Sequence, residues 1–250
     1  MGLVSPENGP ASTKGPWQTL AVRSYGQYCP VARAAEVLGD RWTLLVVRDL
    51  VEGAHRFGEL ASGLPSMSRT LLSQRLRSLE REGLVERRRT ERGHAEYWLT
   101  EVGEDLKPAL LALGEWAARN YSRDPVRREL DPRLLLEWIV REVRRDALPA
   151  GRFLVRFDFR APRASTIWLL SEDREPSACT ADPGFEPDLV VTTDLVTLNR
   201  LFAGRISLSA ALRSGAIALE GSTSAVRGFG RWLGESPFAA TTRGLVAKSA

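Results

Sequence analysis

The sequence predicts a two-domain α+β chain. Its N-terminal half is helix-rich, with two helices meeting across a tight turn and a β-hairpin after them; its C-terminal half mixes strands with helices. Three observations predict this. Between Cys29 and Tyr121 apolar residues recur at helical spacing, interrupted only by two strand-like runs, "LVERRRT" and "AEYWLT". From about 131 to 238 strand-like and helical segments are intermixed, the pattern of a single α+β domain. Between the halves, "SRDPVRRELDP" carries two prolines and alternating charges and reads as a linker. A length of 250 residues suits two domains of roughly 100 to 130 residues each.

The expected organisation is an N-terminal arm over 1–27, a first domain over 28–121, a linker over 122–131, a second domain over 132–238 and a tail over 239–250. The arm is rich in Gly, Pro, Ser and Thr and lacks periodicity. In the first helix Val31, Ala34, Ala35 and Leu38 fall on one face, and Gly39 ends it. Asp40 is the expected N-cap of the next helix, "DRWTLLVVRDLVEG", whose centre is apolar nearly all round and therefore expected to be buried. A short helix with Phe57, Leu60 and Ala61 stops at Gly63. After "GLPSM", Ser68 caps a helix that runs to Gly83, and the two form a helix-turn-helix arrangement. "ERGH", with Gly93 near its tip, joins the hairpin strands. Thr100 caps one long helix over 101–121, with Leu106, Leu110, Leu113, Trp116 and Ala117 on its apolar face and a bend at Pro108.

The C-terminal half begins with the helix "RLLLEWIVREVRRDAL". Strands are expected at "GRFLVRFDFR", "STIWLLSE", "PSACTA" and "PDLVVTTD". The helices "LVTLNRLFAG" and "LSAALRSG", the strand "AIALEG" and the helix "TSAVRGFGRWLG" complete it. No apolar run reaches the roughly 18 residues that span a bilayer, and two cysteines are too few for a disulfide framework. The expected location is the cytoplasm, in association with the nucleoid, with no membrane partner.

The net charge of +4 is concentrated in one place. Between Ser66 and Gly93 eight arginines face four glutamates, so this stretch holds the whole excess. On the helix after Ser68, Leu71, Leu72, Leu76 and Leu79 gather on one side. Thr70, Ser73, Gln74, Arg77 and Arg81 gather on the other. Hydroxyls, an amide and guanidiniums are the groups that bond base edges and phosphates. The arginine-rich hairpin directly behind such a helix can touch the phosphate backbone while the helix enters a groove. Arg75 projects near the leucines and is expected to brace a neighbour.

Residues 29 to about 120 resemble the HxlR-type winged helix-turn-helix regulators, relatives of the MarR group. The likeness is carried by "CPVARAAEVLGDRWTLLVVRDLVEGAHRFGELASGLPSMSRTLLSQRLRSLEREGLVERR", "EYWLTEVGEDL" and "LLALGEW". The resemblance implies that the first and last helices build a homodimer. It implies recognition of a palindromic double-stranded operator through Ser68, Arg69, Thr70, Ser73, Gln74 and Arg77. The wing would contribute Arg88, Arg92 and His94. It also implies that Cys29, at the "CP" position, is a candidate responder to oxidants or electrophiles. A helix start favours an anion there; the alternative is an inert, partly buried thiol.

"PDLVVTTDLVTLNRLFAGRISLSAALRSGAIALEGSTSAVRGFGRWL" resembles the sterol-carrier-protein-type domain, helices packed on a mostly antiparallel sheet around an apolar tunnel. The candidate lining is Phe153, Phe157, Trp168, Leu170, Leu198, Phe202, Phe229 and Trp232, residues that otherwise make plain core. The resemblance implies a small apolar effector.

The expected function is a homodimeric, sequence-specific transcriptional regulator, a repressor by resemblance, modulated by that effector. One alternative is a thiol-responsive regulator acting through Cys29 with a structural C-terminal domain. Another is a lipid carrier or an enzyme with a dimerising winged-helix unit. An enzyme finds no motif: the two histidines, His55 and His94, stand apart, and no phosphate-binding Gly loop, metal-spaced Cys/His cluster or nucleophile motif is present. No metal, cofactor or catalytic residue is expected.

Overall fold

A computed structural model of the chain describes residues 24–91 and 93–249, in two compact units divided between Lys107 and Pro108. Arg92 and the first 23 residues of the expected arm lie outside the described residues.

In the first unit, Pro30 pre-sets the first turn of helix α1 (Pro30–Leu38), which Gly39 follows. None of its residues is buried, and Val31 is 75% exposed, so the described residues cover its apolar face only in part. Helix α2 (Thr43–Val51) is the buried helix, with Val46, Val47 and Leu50 in the core. Asp40 does not cap it. The cap position is Trp42, at φ +80°, because the Asp40 carboxylate is turned to the Arg75 guanidinium while its carbonyl accepts the Thr43 N–H at 3.1 Å.

Helices α3 (Phe57–Gly63) and α4 (Arg69–Arg81) form the expected pair. The Ser68 hydroxyl accepts the Leu71 N–H at 3.2 Å and satisfies one of the orphan donors of the α4 start. Leu72, Leu76 and Leu79 bury the inner face of α4; Leu71, expected with them, is only half-buried. Strands β1 (Val85–Arg89) and β2 (Ala95–Leu99) pair antiparallel, from Val85 opposite Leu99 to Arg89 opposite Ala95. His55 and Arg56 extend the hairpin edge: the Tyr97 N–H donates to the His55 carbonyl at 2.8 Å, and Arg56 bridges to Glu96.

The long helix expected over 101–121 is two helices, α5 (Glu101–Glu104) and α6 (Lys107–Tyr121). Pro108 is the reason. It lacks an N–H and sits in the first turn of α6, where none is needed, so the chain restarts there rather than bending. Thr100 caps only α5; its hydroxyl accepts the Gly103 N–H at 3.2 Å and donates to the Gly83 carbonyl at 2.6 Å. Gly103 is held against the Leu84 carbonyl with no room for a side chain.

In the second unit α6 leaves Leu113, Trp116 and Tyr121 exposed, with the Trp116 and Tyr121 rings 5.1 Å apart. Elsewhere on α6 the Phe238 ring lies against the bare backbone of Gly114. Helix α7 (Pro132–Glu142) is capped by Asp131, which accepts the N–H groups of Arg133 and Leu134 at 2.9 and 3.2 Å. The strands are β3 (Arg152–Phe159), β4 (Ser165–Glu172), β5 (Glu175–Cys179), β6 (Leu189–Thr193) and β7 (Ala218–Gly221). They form one sheet in the order β5-β4-β3-β6-β7, in which β3 and β6 run parallel and every other pair antiparallel.

Alternation along the strands turns Phe153, Val155, Phe157, Ile167, Leu169 and Val191 into the core. There they meet Leu136 and Ile139 of α7, Leu198 of α8 (Leu195–Phe202), Ala211 of α9 (Leu208–Arg213), and Phe229 and Trp232 of α10 (Thr223–Trp232). Helix α11 (Ala239–Ser249) occupies the stretch expected as a tail and buries Ala239 and Thr242.

The segment 122–131 contains a single 3-10 turn, Arg127–Glu129, and is tied down by ion pairs. Arg123 forks onto Glu129 at 2.9 and 2.7 Å. Asp124 pairs with Arg200, and with Arg205 at 3.0 Å. The Arg200 guanidinium, seconded by Arg205, holds the Asp124 carboxyl below its usual range. Arg123, helped by the Val126 N–H, holds Glu129 down to about 2.

Gly103→Ala is expected to destabilise the first unit by about 1–3 kcal/mol, because the methyl group must displace the Leu84 carbonyl; urea unfolding measures it. Glu129 titrates lower folded than unfolded, so its contribution is complete above about pH 4.5 and is lost as pH falls toward about 2. An NMR titration of its carboxyl carbon, compared with Arg123→Gln, should show the midpoint rise in the variant.

Candidate functional site

Burial of the leucine stripe fixes which side of α4 faces outward. Arg69, Thr70, Gln74 and Arg77 are exposed with Ser68, and Ser73 is half-buried beside them. Ser68 is engaged as the cap, and the Arg69 guanidinium lies 5.5 Å from the Phe57 ring centroid. Thr70, Ser73, Gln74 and Arg77 have no side-chain partner among the described residues. That leaves two hydroxyls, an amide and a guanidinium together on one helical face, open to a ligand. Arg81 turns away, back toward the Arg77 carbonyl at 3.4 Å. Arg75 braces the loop before α2 through Asp40 and, at 3.3 Å, the Arg41 carbonyl.

The hairpin divides its arginines by strand parity. Arg88 shares a face with Glu86, Glu96 and Trp98. Its guanidinium pairs with Glu86 and lies 4.9 Å from the Trp98 ring centroid. Trp98 is stacked on the His55 ring at 3.6 Å and donates its indole N–H to Glu96 at 3.3 Å, and Arg56 reaches the same carboxylate at 3.4 Å. Arg87 and Arg89 fall on the other face, exposed and without a side-chain partner among the described residues. His94 is exposed, its backbone N–H held by the Thr90 hydroxyl at 3.1 Å.

Five of the expected helix and wing residues, Thr70, Ser73, Gln74, Arg77 and His94, therefore keep their side-chain polar groups open, whereas Arg88 is occupied by its own strand neighbours. Among the described residues, Arg87 and Arg89 are the wing arginines left free. Their signal was the two-residue period of "ERRR": if Arg88 shares a face with Glu86, its neighbours cannot.

Of the eight residues expected to line a ligand cavity, six are brought together and two are not. Phe153, Phe157, Leu198, Phe202, Phe229 and Trp232 are all buried in the packed core, with Trp232 edge-on to Phe153 at 6.2 Å and to Phe229 at 5.2 Å. Trp168 and Leu170 alternate with the core-facing Ile167 and Leu169, so they lie half-buried on the opposite side of the sheet. Cys29 is exposed at the N-cap of α1, not partly buried, and Cys179 is half-buried in β5. Among the described residues no group of three or more His, Cys, Asp or Glu is placed to hold a metal, and no helix is long and apolar enough to cross a membrane.

Replacing Arg75 by Met should cost about 1–2 kcal/mol, since it removes a charged hydrogen bond at a mostly covered site. Denaturant unfolding of Arg75→Met and Asp40→Asn should show non-additive losses.

Residues 37–125 match the family of HxlR-like helix-turn-helix proteins. The HTH-type transcriptional regulator Rv3095 of Mycobacterium tuberculosis is 44% identical over 88 residues, 34% of this chain and 55% of that protein. The regulator YvaP of Bacillus subtilis is 38% identical over 94 residues, 36% of this chain and 87% of YvaP. The solved structure of reduced YodB, a transcriptional regulator from B. subtilis, is 32% identical, takes in 38% of this chain and 95% of that one, and has a TM-score of 0.34. The chain thus spans most of YvaP but about half the length of the mycobacterial relative.

Proposed function

The chain belongs to the HxlR-like helix-turn-helix family, and from that premise we propose that it is a sequence-specific DNA-binding transcriptional regulator that works as a homodimer. The observation that carries the reading is the open polar face of α4, backed by the free arginines of the hairpin. In this reading the N-terminal half of α4 enters the major groove, and Thr70, Ser73, Gln74 and Arg77 meet base edges and phosphates. Arg87, Arg89, Arg92 and His94 supply the wing's backbone contacts. Arg88, committed to Glu86 and Trp98, shapes the wing.

Dimerisation is supported by the uncovered apolar groups of α1 and α6, Val31, Leu113, Trp116 and Tyr121 among them. A two-fold dimer presents two recognition helices to half-sites about 34 Å apart on a palindromic operator. The family likeness favours repression, on cytoplasmic, nucleoid-borne DNA. The C-terminal unit, whose mostly antiparallel sheet covered by helices suits the sterol-carrier-protein-like reading, would bind a small effector. Such a ligand acts only by binding one dimer geometry better than the other.

A second reading is favoured by the exposure of Cys29 at a helix start: its thiol would respond to oxidants or electrophiles. Unchanged operator affinity after treatment with diamide or methylglyoxal would remove it.

Mobility-shift and selection experiments test the main reading. Gln74→Ala or Arg77→Ala should relax sequence preference by about 1–3 kcal/mol at one base pair. Arg87→Ala or Arg89→Ala should weaken all sequences alike and reduce the salt slope by about one each, whereas Arg88→Ala should change that slope less. Indifference of DNA binding to all of these would sink the docking scheme.

A further inference from the structure

Within the second unit, a cleft of about 470 Å³ opens at one end of the sheet, between the 3-10 turn of the 122–131 segment and the β3–β4 turn. Its walls are chemically mixed. Leu130, Pro132, Pro162 and Leu195 give it an apolar lining, and Arg127 and Arg163 line it as well. Neither arginine has a side-chain partner among the described residues.

The carboxylates nearby are already committed. Glu129 is held by Arg123, Asp131 accepts two N–H groups at the start of α7, and Asp194 accepts the N–H of Thr197 at 2.8 Å and its hydroxyl at 2.6 Å. Two unneutralised guanidiniums with an apolar lining of a size typical of small-molecule sites select one ligand chemistry. We propose that this cleft, and not the packed core of the domain, is a binding site for a small amphipathic carboxylate, its apolar body against Leu130, Pro132, Pro162 and Leu195 and its anionic head forked by Arg127 and Arg163.

The site deepens the effector reading given above and rests on it only for its regulatory consequence. Arg127 and Leu130 belong to the segment that leaves α6, and that segment is pinned by Asp124 to Arg200 and Arg205. A ligand drawn to Arg127 therefore acts on the stretch through which α6 joins the sheet domain.

Calorimetric titration of the full-length protein with decanoate, decanol and acetate tests the site. Decanoate should bind at least tenfold more tightly than decanol or acetate, because only it satisfies both the charge and the lining. Arg127→Gln and Arg163→Gln should each weaken decanoate at least tenfold, and Ala164→Trp, which fills the cleft from its exposed rim, should abolish binding. Thermal unfolding of each variant verifies that it is folded. Equal binding of decanoate and decanol, displacement by acetate at equal concentration, absence of decanoate binding, or binding that survives all three substitutions in folded protein would overturn the proposal. A parallel mobility shift separates the two claims: decanoate that binds the cleft but leaves operator affinity unchanged supports the site and removes the effector reading.

Discussion

Burial of Leu72, Leu76 and Leu79 is the constraint on which the first unit depends. Each is almost wholly removed from water, and together they contribute several kcal/mol of transfer free energy. They lie three and four residues apart, so they lock the rotation of α4 about its own axis. Once that angle is set, Thr70, Gln74 and Arg77 must face outward, and no separate interaction is needed to present them. Arg75 lies at the edge of the stripe, and its pairing with Asp40 pins the same rotation from outside. Truncating any one of the three leucines would therefore loosen the polar face as well as the core.

The hairpin solves a related problem with different means. Too short to have a core, it is stiffened by the stack of His55 on Trp98 and by the Arg88 side chain over the same indole. These contacts use one face of the ribbon for cohesion and leave the other face for charge. A row of four consecutive cationic and acidic residues, Glu86 to Arg89, is thereby resolved into an internal ion pair and two free arginines.

Much of this was legible in the sequence, because helices and strands advertise themselves by periodicity. Ser68 as a cap, Gly83 as a stop and the α4 faces all followed from spacing. What periodicity could not supply was competition between partners. Asp40 has the side chain of a helix cap, but a guanidinium distant in sequence claims it. The 101–121 helix kept its apolar pattern across Pro108, so the break into α5 and α6 left no mark on the periodicity. The aromatic residues of the C-terminal half identified a core, and only the strand register showed Trp168 and Leu170 on the other side of the sheet. The cleft with Arg127 and Arg163 was invisible in advance, since its walls come from a proline-rich linker and a turn that share no sequence pattern.

The ring of Phe238 against Gly114 bears on how modular the chain is. By sequence the second half could be detached after Tyr121, at the proline-bearing segment. Physically, α6 is keyed at Gly114 to a residue from the far end of the chain, and a side chain larger than hydrogen there would evict the key. A fragment ending at Tyr121 would keep the helix and lose its lock, exposing backbone that the intact protein covers. A cut after Tyr121 therefore parts α6 from the ring that covers it, however well the sequence marks that place as a linker.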